Sequence, residues 1–172
     1  MKNLFFLTFI ILFSCSDSND DNTNQLFREV NNNTFWLNVQ DEFNYGNIIS
    51  FSPDKLFYEF YQDGDFVECL YWEESNWTNV DYDGCVYETV SYQVVNESKT
   101  TLTVQDTTTG TNGCSNTTVT IIFEIINENT LTVKHINTWS GGQDEFTVTG
   151  QRMNSGFSYG NCIDGGVNNY LW

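Results

Sequence analysis

The sequence predicts an all-β domain, an antiparallel up-and-down barrel of eight or nine short strands. Three observations carry this prediction. From Thr34 onward, short runs rich in Val, Ile, Thr, Phe and Tyr alternate with polar turns at intervals of 8 to 15 residues. Within those runs apolar side chains recur at every second position, the period of a strand with one buried face. No ten-residue stretch of the domain repeats at the helical period of 3.6.

The elements follow in order. Phe35, Leu37 and Val39 alternate with polar partners and predict a strand over 34–40, followed by one over 47–52. Ser52-Pro53-Asp54-Lys55 places proline in the second turn position, and Leu56, Tyr58 and Phe60 then mark a strand over 55–61. Asp63-Gly64 turns the chain into a strand over 65–72. Further strands are expected over 85–95 and 99–106, joined by Asn96-Glu97-Ser98. Val119, Ile121, Phe123 and Ile125 define 117–126, and Leu131 with Val133 defines 130–138 beyond the turn Asn127-Glu128-Asn129. Gly141-Gly142 leads into 144–152, which carries Phe146 and Val148. Such strands must dispose of their edges, and closing the sheet does so. A two-sheet sandwich satisfies the same pattern and stays open as the alternative.

Ahead of this domain, Leu4 to Phe13 is apolar apart from Thr8 and follows Lys2. A bilayer-spanning helix needs about 20 apolar residues. The run is half that length and has the form of a signal peptide. Leu12-Phe13-Ser14-Cys15 resembles the lipobox of bacterial lipoproteins, in which the cysteine is acylated and the signal, here residues 1–14, is removed. The polar, acidic stretch Ser16 to Asn22 is similar to the export signals that carry lipoproteins to the outer face of some diderm bacteria. Residues 15–26 then form a tether with almost nothing to bury, and eleven extended residues reach at most about 36 Å.

Composition narrows the function. The formal charge is −17, and loss of Lys2 with the signal makes it −18. Phosphate binding needs basic patches, so nucleic acid is excluded as a partner. Membrane attachment must come from the acyl chains, of which two or more give stable anchoring.

Beyond Cys15 the cysteines are Cys69, Cys85, Cys114 and Cys162. An even number in an exported chain predicts two disulfides. Pairing of strands 65–72 and 85–95 would bring Cys69 beside Cys85, leaving Cys114 to tie Cys162 and the tail 153–172 to the domain.

The strand order is similar to lipocalin-like domains of small diderm lipoproteins. The likeness rests on Thr34-Phe35-Trp36-Leu37, Ile48-Ile49-Ser50-Phe51, Leu56-Phe57-Tyr58, the run Phe123 to Val133 and Glu145-Phe146-Thr147-Val148. It covers about 34 to 152 and implies a barrel over 27–152 that takes a small apolar or amphipathic ligand. A surface module with a filled barrel, contacting a glycan or a protein through its loops, is the second reading.

His135 is the sole histidine and shares a strand face with Leu131 and Val133, so it is expected to point inward. The loop from Tyr71 to Asp83 sets Trp72, Trp77 and Tyr82 beside amides and carboxylates, the stacking surfaces and acceptors of a ligand rim. In the same loop Asp81 and Asp83 resemble the first half of a calcium loop, but Val90 stands where the bidentate Glu belongs. Asp106-Thr107-Thr108 looks like an O-glycosylation acceptor of some exported proteins. No cofactor and no enzymatic activity is expected, with outer-membrane or cell-surface localisation.

Overall fold

The computed structural model describes residues 25–39, 46–63, 66–82, 84–111, 113–154 and 163–164. The signal peptide, Cys15, most of the tether, Asp83, Cys162 and most of the tail lie outside the described residues, as does the side chain of Tyr82.

The chain is all-β. A short helix α1 (Phe27–Val30) precedes β1 (Phe35–Val39), β2 (Gly46–Ser50), β3 (Phe57–Asp63), β4 (Phe66–Trp72), β5 (Ser75–Tyr82), β6 (Cys85–Glu97), β7 (Thr101–Gly110), β8 (Thr117–Asn127), β9 (Thr130–Trp139), β10 (Gly142–Arg152) and β11 (Ile163–Asp164). They form one sheet in the order β11-β4-β3-β2-β1-β10-β9-β8-β7-β6-β5. Ten strands pair antiparallel, and β11 adds to β4 in parallel through Ile163↔Leu70. Strands pair with their chain neighbours and β1 pairs with β10, but no ladder joins β4 to β5 among the described residues. The ladder is therefore not closed into a barrel.

One face of the sheet wraps around a core of rings. Phe51 packs edge-on against Phe27 and Phe123, with centroids 4.8 and 5.2 Å apart. Phe57 meets Phe123 at 5.1 Å and Trp72 meets Tyr92 at 5.3 Å, so β3 and β4 lie across from β8 and β6. Phe27 of α1, Leu56, Leu102, Leu131 and Val133 complete this filling at the α1 end. The expectation for Val119 to Ile125 and for Leu131 with Val133 agrees with this inner face. β1 differs: Trp36 is the buried inner residue, while Phe35 and Leu37 face outward. There they join a second cluster around Ile48, Phe60 and Cys69, with Met153 packed against it. β1 to β4 are thus covered on both sides, which blurs the period of two.

The two halves of the sheet differ in height. β1 and β2 have 5 residues each, β6 has 13 and β10 has 11. β1 reaches only Gly150 to Arg152 of β10. Above that level, among the described residues, β10 has no ladder on its β1 side, and Phe146 and Trp139 are exposed.

The disulfide expectation is corrected. Cys85 bonds Cys114 with Cα atoms 5.7 Å apart, in place of the expected Cys69–Cys85 and Cys114–Cys162 pairs. Cys69 faces Phe60 on β3, and the unexpected strand β5 separates β4 from β6. The loop after β7 folds back because the backbone N–H and hydroxyl of Thr111 both donate to the Val86 carbonyl. Gly110 permits that fold, since a Cβ there would lie 2.7 Å from the Cys114 carbonyl oxygen.

Candidate functional site

The open upper part of the inner face gathers the chemistry. Alternation along β9 that buries Leu131 and Val133 continues through His135, Asn137 and Trp139. Register sets His135 between Ile121 and Phe146, Asn137 between Val119 and Asp144, and Trp139 between Thr117 and Gly142. β7 contributes Asp106 opposite Val119, and Thr108, whose hydroxyl hydrogen-bonds that of Thr117 at 2.5 Å.

Aromatic surface dominates. The His135 and Phe146 rings stack at 4.6 Å and 7°. Phe146 is 52% exposed and Trp139 36% exposed, although both stand on the face that becomes the core lower down. The Trp139 indole lies across the β9–β10 turn, where a Cβ on Gly141 would come within 3.0 Å of its Nε1. Loss of solvent around the half-buried His135 holds its pKa below the ordinary value, so the imidazole is neutral at pH 7.

Charge is distributed unevenly. Lys134 sits on the opposite face of β9 and pairs with Glu145 at 2.9 Å. Arg28, Lys55, Lys99 and Arg152 all stand at the α1 end, where Arg28 binds Glu97, Lys55 binds Glu73, and the Arg152 guanidinium lies 5.9 Å from the centre of the Trp36 ring. Among the described residues the upper inner face therefore carries carboxylates, Asp106 and Asp144, and no cation.

Of the residues expected to contact a ligand, the inward His135 belongs to this face, and the rim residues Trp72 and Trp77 do not. Trp72 is buried, stacked on Phe57 at 5.7 Å, with its Nε1 donating to Glu59. Trp77 packs edge-on against Tyr92 at 5.6 Å, so both tryptophans help fill the break between β4 and β5. Asp81 is exposed on β5 opposite Val86, and among the described residues no group of three or more His, Cys, Asp or Glu side chains gathers around a point. Asn137, Trp139 and Asp144 were not singled out from the sequence, though the alternation that reveals His135 also reaches Asn137 and Trp139.

No family model, curated protein or solved structure matches this chain.

Proposed function

We propose that this protein is a lipoprotein of the outer membrane or cell surface, held by acyl chains on Cys15. We further propose that it is a binding module of lipocalin-like ancestry whose barrel is split between β4 and β5. Its ligand, small and amphipathic, rests on the upper inner face against Phe146, Trp139 and His135. One observation carries this reading: Phe146 is more than half exposed while stacked on His135, directly above a core filled with rings. Exposed aromatic surface is costly in water and is retained where a partner covers it. The filled lower core leaves the upper face as the place to bind, and the neighbouring Asn137 and Thr108 offer polar contacts that orient a ligand.

Two measurements test the two halves of the proposal. Expressed in a diderm host, the protein is expected to fractionate with membranes and incorporate labelled fatty acid, and Cys15→Ala to do neither; label in the variant overturns the anchor. N-phenyl-1-naphthylamine, an uncharged apolar fluorophore, is expected to brighten on titration, with the gain lost in Phe146→Ser. Unchanged brightening in that variant places binding elsewhere.

A further inference from the structure

We infer that the upper edge of β10 receives an extended, cationic segment of a partner protein as an added strand. The inference rests on Phe146 and Trp139 being binding surface, and adds, at the edge beside the small ligand's face, a second occupant whose chemistry that edge defines. From Gly142 to Thr149, β10 pairs with β9 alone among the described residues, because the ladder to β1 begins at Gly150. Eight residues of one-sided strand present about 27 Å of backbone donors and acceptors. Such an edge is a template for another chain unless something covers or blunts it.

The side chains along this edge define what would fit. Asp144, Phe146 and Val148 project on the inner side, opposite Asn137, His135 and Val133. On the outer side Glu145 is already neutralised by Lys134. No ion pair engages Asp144 among the described residues, and the exposed rings of Phe146 and Trp139 flank it along the ladder. A lysine or arginine of an incoming strand would meet the Asp144 carboxylate and lie over an aromatic face, where a cation is attracted by the ring quadrupole. Two and four residues further along that strand, on the same face as the cation, apolar side chains would extend the row of Phe146 and Val148. A second copy of this chain is a poor occupant, since each copy carries a formal charge of −17 and its described cations other than Lys134 lie at the α1 end.

The test uses the full-length lipoprotein in zwitterionic lipid nanodiscs and fluorescein-labelled nonapeptides read by anisotropy. A peptide carrying lysine and then valines at every second position, with threonine between them, is expected to bind. Replacing lysine by glutamine, or N-methylating the backbone along one edge, should each weaken binding about tenfold. Asp144→Asn and Phe146→Ser should weaken the lysine peptide by a similar factor, and Glu88→Gln, an exposed acid on β6, should leave it unchanged. Equal binding of the N-methylated peptide, equal weakening by Glu88→Gln, or no binding at all each overturns strand addition. A response of N-phenyl-1-naphthylamine to Phe146→Ser in the last case leaves the binding face standing and removes only the peptide.

Discussion

Arg28 and Glu97, 69 residues apart, are joined by four hydrogen bonds: the Arg28 backbone N–H and Nε donate to Oε1 at 2.9 and 3.1 Å, and Nε and Nη2 donate to Oε2 at 3.2 and 2.9 Å. The pair fixes α1 across the lower mouth of the sheet, where Phe27 enters the core. Leu26 cannot cap the helix with its side chain; only the returning half of a capping box is present, the Leu26 N–H donating to Glu29 at 3.0 Å. So short a helix has no stability of its own and depends on this anchoring. The Glu97 side chain is 6% exposed, and removing Arg28 would leave that carboxylate nearly buried without its counter-charge. Arg28→Ala is expected to cost about 3 kcal/mol, and Arg28→Met with Glu97→Leu distinctly less; urea unfolding of the three proteins measures both.

His135 makes stability depend on pH. Its folded pKa lies below the ordinary value of 6.5 because burial disfavours the imidazolium. The unfolded chain therefore takes up the proton first, and stability present above pH 6.5 is lost as pH falls through the folded value. The urea midpoint is expected to drop between pH 7.5 and the carboxylate range, and His135→Phe to flatten that drop. A slope unchanged in the variant would assign the dependence to other groups. Asp54 acts separately: the Ser52 hydroxyl donates to its carboxylate and holds its pKa below 3.8, so its contribution is lost only at still lower pH.

Cys85 and Cys114 close a loop of 29 residues, worth about 3.6 kcal/mol in the chain-entropy model. Cys85→Ala with Cys114→Ala is expected to lower stability by about that amount, read by thermal unfolding. Cys69 is also disulfide-bonded. With Cys85 and Cys114 joined and Cys15 proposed as the anchor, non-reducing peptide mapping is expected to recover Cys69 with Cys162, the residue before Ile163, which pairs with Leu70. Recovery of Cys69 with any other cysteine would refute that assignment.

Gly110→Ala is expected to destabilise by about 1–3 kcal/mol, because its methyl group must displace backbone rather than a pliant side chain. Gly84→Ala meets no atom within 4 Å but would force φ of +77° on alanine, and should cost about 1 kcal/mol. Urea midpoints of the two variants test the order.

The strands legible in the sequence are those with one wet face. β8, β9 and β10 read directly because Ile121, Phe123, Leu131, Val133 and Val148 alternate with exposed or half-exposed partners. β5 has the sequence pattern of a loop for a physical reason: Asn79 adopts a φ of +55° and shifts the inward set from Ser75 and Trp77 to Val80, so no single period of two runs through the strand. Its asparagines also weigh against a strand on propensity. α1 spans 4 residues and carries no helical period to detect. His135 was legible as an inward residue. The openness around it was not, because the difference in height between β1 and β10 arises from pairing between distant segments.

The ladder order also sets a timetable for folding. β5 to β10 are joined in sequence by short connections, each strand pairing with the next, so this meander can assemble from local contacts. The pairing of β1 with β10 joins Trp36 to Arg152 and must close almost the whole chain first. Until it forms, the inner rings of β6 to β9 have no opposing strands, and Phe51, Phe57 and Trp72 are still to arrive. A chain emerging amino end first therefore waits for β10 before β1 finds its partner, and β1 stays longest without that ladder.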